Sequence, residues 1–292
     1  MNILRYTKLF MSLSLILILV GLVIIITFGF KSSIEYTGGS VLKIKDLDNY
    51  EIRLKEVASL SNFEIKELYE KDNLIYLKIN ETENSRIKDI TNSIKNLSSN
   101  TQITDIEVIG SSVGIEFAKN SFIALVIAFV GILLYVAYSF NGLSEKISSW
   151  YFGVAALVAI FHDVLIVISF FSLAGYLYNV EIDALFLTSL LTIAGFSIND
   201  TIVVFDRIRE NILKFEKSKT LVEIFNLSIF ETLNRSIITS FTVIIIMFSL
   251  FLLGSGSIKY FSLALVVGIA AGTYSSIFIA SPIVLFLKKV RK

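Results

Sequence analysis

The chain of 292 residues contains no cysteine, one proline, one histidine and one tryptophan, and only 17% of its residues are charged. Each scarcity excludes something. Without cysteine there is no disulfide framework and no thiolate metal centre. A single histidine cannot form an imidazole cluster, so no metal site is expected. Soluble domains carry about 25% charged residues, and this chain falls well below that. Its 54% hydrophobic content and mean hydropathy of +0.75 also exclude a disordered chain. A net charge of +1 gives no footprint for nucleic acid.

The charges that exist are unevenly placed. Leu9 to Phe30 is free of charge, with Arg5 and Lys8 before it and Lys31 after it. It is long enough to cross a hydrocarbon core, which takes about 20 residues. The apolar region of a cleaved signal peptide is shorter, about 7–15 residues, and ends at a small-residue site. The segment therefore reads as an uncleaved signal anchor. Further apolar runs lie at about 120–140, 150–174, 183–205, 236–257 and 261–287, making six spans. The organisation expected is a cytoplasmic N-terminus with the first span over 1–30, a soluble domain over 31–119, and five spans over 120–292 with a cytoplasmic loop at 206–235.

Short-loop lysines and arginines set the orientation. Thirteen lie on one side: Arg5, Lys8, Lys146, six between Arg207 and Arg235, and four from Lys288 to Lys292. The opposite short loops offer only Lys259. Both termini are thus expected in the cytoplasm, with the 31–119 domain outside. That domain reads β-α-β-β-α-β: Ser40–Lys45, Tyr50–Leu60, Phe63–Leu68, Leu74–Ile79 after the turn Lys71-Asp72-Asn73, Asn84–Leu97 and Ile103–Ile109. This order is ferredoxin-like. In the 206–235 loop, Thr220 and Glu223 fit a capping box. A helix starting there would put Val222, Phe225, Ile229 and Leu233 on one stripe.

Charges at bilayer depth cost at least about 2.5–3.5 kcal/mol each and are functional suspects. Asp163 follows His162 near the middle of span three. Asp200 lies on span four, six residues before Asp206 and Arg207, so it sits roughly 9 Å inside that edge. Arg235 begins span five from the same side, and its long side chain could reach Asp200. A carboxyl group in low dielectric can bind and release a proton near neutrality, and a movable guanidinium would change that affinity. Asn199 and Thr201 could carry water or orient the carboxylate. His162 and Asp163 suit either a relay or a supporting hydrogen-bonded pair. Gly268, Gly272, Ser276 and Ala280 recur every four residues on span six, a stripe for close helix packing, and Pro282 is expected to kink its exit.

The stretch Gly195 to Asn211, reading Gly-Phe-Ser-Ile-Asn-Asp-Thr-Ile-Val-Val-Phe-Asp-Arg-Ile-Arg-Glu-Asn, resembles the fourth-span signature of the SecF family of bacterial protein-export subunits. Ile34-Glu-Tyr-Thr-Gly-Gly39 resembles the motif after that family's first span, with Glu35-Tyr36 in place of Asp-Phe. Phe161-His-Asp163, Asn234-Arg-Ser-Ile-Ile-Thr-Ser240 and Gly272-Thr-Tyr-Ser-Ser-Ile-Phe-Ile-Ala-Ser-Pro282 resemble its third, fifth and sixth spans. The resemblance covers the whole chain apart from most of 41–110, where only the layout agrees.

It implies a member of the resistance-nodulation-division superfamily in the cytoplasmic membrane. Such a protein works with SecD, completed in trans, and with an accessory single-span subunit. Together they would assist the SecYEG channel and SecA in moving unfolded preproteins. The driving force implied is a proton or sodium gradient, with Asp200 and Arg235 in ion coupling. No cofactor and no enzymatic reaction are implied.

Two other classes compete. An aspartyl intramembrane protease would pair two carboxylates on neighbouring spans. Its Gly-x-Gly-Asp motif would fall at Ser197-Ile-Asn-Asp200, which has neither glycine. A half-size small-molecule efflux transporter would need a larger outer loop than 89 residues.

Overall fold

The computed structural model describes residues 6–71, 73–98, 101–141, 148–215 and 217–290. Arg5, Lys146, Arg291 and Lys292 of the orientation count, and Asp72 of the expected turn, lie outside them. Contacts divide the chain into two compact units, Ser32–Phe122 and the pair Met1–Lys31 with Ile123–Lys292.

The smaller unit holds the elements α2 (Ile34–Thr37), β1 (Gly39–Lys45), α3 (Tyr50–Leu60), β2 (Ile65–Lys71), β3 (Leu74–Ile79), α4 (Asn84–Lys95) and β4 (Gln102–Ile109). The strands form one antiparallel sheet in the order β2-β3-β1-β4, with Leu42 of β1 opposite both Leu77 and Ile106. Strand alternation puts Leu42 and Ile44 on one face. There they are buried with Leu77 and Ile79, Leu54 and Val57 of α3, and Ile90 and Ile94 of α4. Fully burying side chains of this size contributes about 1.5–3 kcal/mol each.

The short helix α2 was not legible from periodicity. Ser33 caps it by accepting from the Glu35 amide. The two glycines that follow have φ of +70° and +120°, conformations that side chains rarely adopt. A Cβ on Gly38 would stand 2.4 Å from Ser111 Cα, and one on Gly39 would stand 2.7 Å from the Ile79 carbonyl oxygen. The Gly-Gly pair is therefore required where the chain enters β1.

On the other face, Lys43 bridges Asp105 Oδ2 at 2.9 Å and Glu107 Oε1 at 2.6 Å. Partial burial opposes the Lys43 ammonium, but hydrogen bonds to Glu107 and Asp105 outweigh it and raise the lysine pKa. The Lys43 bond holds Asp105 below its usual value. The lowered acid stabilises the fold above the ordinary carboxylate value of about 3.9, and the raised base stabilises it below about 10.4. Lys43→Met is therefore expected to cost up to about 1 kcal/mol between those limits, because such half-exposed pairs are weak. The deficit should shrink as acid titrates Asp105 or as alkali titrates Lys43. Hydrogen-exchange protection of β1, corrected for intrinsic rates, measures it. A deficit that does not change with pH would rule the pairing out as its cause.

The larger unit contains α1 (Thr7–Phe28), most of α5 (Ser111–Ser139), α6 (Ser149–Tyr178), α7 (Ala184–Phe215), α8 (Leu221–Leu253) and α9 (Gly256–Ser275). A π-helical turn (Ser276–Ala280) and α10 (Ser281–Val290) complete it. Six helical stretches are long and apolar enough to cross a membrane, with α9, the π turn and α10 acting as one. Helices α6, α7 and α9 supply most of the buried core. Helices α1, α5 and α8 expose rows of large apolar side chains, among them Ile26, Ile127, Ile246 and Leu253. Exposed rows on this scale suit hydrocarbon rather than water.

Two expectations change. Residues 206–235 are not mainly loop: α7 continues to Phe215, α8 starts at Leu221, and only a short connection separates them. Apolar spacing carries the helices on, since Ile208 and Ile212 of α7 share a core with Ile224, Phe225 and Ile229 of α8. Polar ties add to it. Arg207 Nε donates to Glu231 at 2.7 Å, and Asn211 Nδ2 donates to Ser228 Oγ at 3.0 Å. Arg207 also donates to Glu210, one turn on, so both side chains belong to this clamp.

The capping box of Thr220 and Glu223 is present. On the stripe behind it, Phe225 and Ile229 are buried, but Val222 is exposed and Ile224 takes the inner position. At Pro282, the departure from α-geometry takes the form of the π turn just before it. Proline lacks an amide to bond one turn back, and a π turn absorbs such a defect.

Candidate functional site

Four spans of the larger unit, the third to the sixth, converge on the two intramembrane aspartates. Asp163 is fully buried on α6. Its Oδ1 lies 3.0 Å from His162 Nδ1. Its Oδ2 accepts from Ser197 Oγ of α7 at 2.6 Å and from Ser275 Oγ of α9 at 2.7 Å. Asp200, on α7, is 7% exposed. Its Oδ1 accepts from Ser236 Oγ of α8 at 2.5 Å, and its Oδ2 from Ser276 Oγ at 2.6 Å. Ser275 and Ser276 are consecutive, so one point on the sixth span holds both acids. Ser276 opens the π turn, and π turns often lie at functional positions.

Close helix packing makes these short bonds attainable. A Cβ on Gly268 would stand 2.3 Å from Ile193 Cδ1, and one on Gly272 would stand 3.1 Å from Ser197 Cβ. Both glycines press α9 against α7 beside the serines. Ser276, the third member of that stripe, does more than pack, since it holds Asp200. Tyr274, in the same stretch, stacks on the His162 ring and donates to the Phe10 carbonyl of α1 at 2.8 Å.

The structure separates the other expected residues. Arg235 is exposed, and among the described residues no ion pair joins it to Asp200. Its neighbour Ser236 faces the bundle instead, because successive helical residues point about 100° apart. Asn199 is also exposed and makes no bond to Asp200 among the described residues. Thr201 is fully buried, and its Oγ1, like His162 Nε2, has no hydrogen-bond partner among the described residues. The serines at 197, 236, 275 and 276 were missed as ligands of the acids. The available signal was their position inside the motifs that carry the resemblance.

The two sites differ chemically. Asp163 is held by an imidazole and two hydroxyls, tying three helices together. Asp200 has only hydroxyls among the described residues. A hydroxyl can donate to a carboxylate or accept from a carboxylic acid, so the Asp200 cradle suits either protonation state. The two carboxylates do not bond one another; each has its own partners. A shared-proton pair of the protease type is therefore not formed here.

Comparison with known proteins gives one consistent answer. The family "Protein export membrane protein SecD/SecF, C-terminal" matches residues 89–290. The protein translocase subunit SecF of Thermobaculum terrenum is 36% identical over 96% of this chain and 92% of its own. The crystal structure of SecDF from Thermus thermophilus, described as a translocon-associated membrane protein, matches 99% of this chain with a TM-score of 0.84 and 32% identity. A SecDF structure in a "super-membrane-facing form" matches with a TM-score of 0.71 and 30% identity. The chain spans 39% of each SecDF chain. With six apolar helices, motifs placed along four of them and just after the first, and a SecF relative aligned over 92% of its own length, this multi-pass membrane protein belongs to the SecF family of protein translocase subunits.

Proposed function

We propose that the chain works with a SecD subunit to drive late translocation and release of preproteins across the cytoplasmic membrane, using a proton or sodium gradient. The observation that carries this is Asp200, a buried acid on a membrane helix held, among the described residues, only by hydroxyls from two other elements. Such a group can gain and lose an ion without losing its hydrogen bonds. Asp200 is the ion-coupling residue. Arg235 is the charge that would approach it in another conformation, reached by a turn of α8. Asp163 and His162 hold the bundle around it.

In this reading both termini are cytoplasmic, by the lysine and arginine count. The smaller unit is a ferredoxin-like domain outside the membrane, where it meets emerging polypeptide. SecYEG with SecA, and an accessory single-span subunit, are the remaining partners. Deleting the gene should cause secretory precursors to accumulate while resistance to small toxic compounds stays normal. Normal secretion with lost resistance would favour the efflux reading instead.

A further inference from the structure

At the end of the bundle where α6 stops and α9 starts, the larger unit carries an apolar groove of about 380 Å³. Phe170, Leu173 and Leu177 of α6 line one wall, and Phe251 of α8 and Leu263 of α9 line another. From Phe170 to Tyr178 the groove follows α6 for about 12 Å. Its chemistry changes along that length. The inner end is hydrocarbon alone. The outer end carries Tyr178, the last residue of α6, with Lys259 and Tyr260 from the first turns of α9.

Among the described residues, Lys259 is the one Lys, Arg, Asp or Glu on the groove wall. It has no ion pair among the described residues, and its ammonium lies 5.5 Å from the Phe251 ring centre. The first turn of α9 carries no acidic residue, and Ser255 makes no side-chain cap there, so the helix end adds positive potential beside the lysine. An apolar channel ending in a lone cation and tyrosines matches an acyl chain joined to a phosphate, in the zone where tyrosines sit in membrane proteins.

We propose that this groove binds one anionic phospholipid, its acyl chain along Phe170, Leu173 and Leu263 and its phosphate on Lys259. Binding here is independent of ion coupling at Asp200 and could succeed or fail without it. The test is lipid retention by the full chain. The protein is reconstituted in equal amounts of phosphatidylglycerol and phosphatidylethanolamine with matched chains, re-extracted in mild detergent, and its bound lipid identified by native mass spectrometry.

Wild type should keep one phosphatidylglycerol, enriched about fivefold over the bulk ratio, the effect of one lysine near a lipid phosphate. Lys259→Ala should bring that ratio back to the bulk value, and Lys259→Arg should keep the enrichment. Leu263→Trp, which fills the groove, should reduce retention of both lipids. Excess inorganic phosphate should not displace the lipid. An unchanged ratio in Lys259→Ala, no enrichment in wild type, or displacement by free phosphate would each overturn the assignment.

Discussion

Asp200→Asn should leave the protein folded, inserted and able to bind its partner, while secretory precursors accumulate to the level of a strain lacking the chain. The two halves of that expectation come from the same geometry. Asparagine has the shape of aspartate, and its amide can accept from one serine and donate to the other. Ser236 and Ser276 therefore keep their partners, and the cost to stability stays within about 1 kcal/mol, the scale of one net hydrogen bond. What is lost is ionisation. An amide cannot take up or release a proton at any working pH, so a cycle that depends on it stops entirely. Membrane abundance, co-purification with SecD and pulse-labelled precursor processing measure the three parts. Normal processing in the variant would remove Asp200 from the mechanism.

Asp163→Leu should do the opposite and break the structure. Asp163 has no exposure, accepts from α7 and α9 and bonds His162 of its own helix. Leucine would strand His162 Nδ1 and two serine hydroxyls in the core. Each unsatisfied buried group costs about 1–3 kcal/mol, but serines can fall back on their own helix backbone. Ser275 already shares its hydroxyl with the Gly272 carbonyl at 3.1 Å. The expected total is about 2–5 kcal/mol, read as low abundance in membranes and early melting in detergent. Asp163→Asn, which keeps an acceptor for the imidazole, should recover most of it. A leucine variant as stable as wild type would show that this acid does not tie the three helices.

Some of this was legible in the residues and some was not, for physical reasons. The six spans follow from long apolar runs that are nearly free of charge, because a helix in hydrocarbon cannot carry many charges. The strands of the small unit follow from alternation at Ser40–Lys45 and Leu74–Ile79, and α4 from Ile87, Ile90 and Ile94 at helical spacing. The capping box at Thr220 was readable because its partner is three residues away. Long-range partners were not readable. Ser236 and Ser276 look like small packing residues in an apolar helix, and only the relative rotation of α7, α8 and the π turn aims both at Asp200. The same rotation turns Arg235 and Asn199 outward. Charge counting placed a loop at 206–235 because it registers Arg207 and Lys214 but not the buried stripe of Ile208, Asn211 and Ile212 between them.

The central claim is that ion uptake at Asp200 powers preprotein movement. Its most direct test is preprotein release from membrane vesicles containing either wild-type chain or Asp200→Asn, each with and without an imposed proton or sodium gradient. Wild-type vesicles are expected to release faster when the matching gradient is present. Asp200→Asn vesicles are expected to release at the slow rate of wild type without a gradient, whether or not one is imposed. Acceleration of the Asn variant by the gradient to the wild-type rate would contradict the claim.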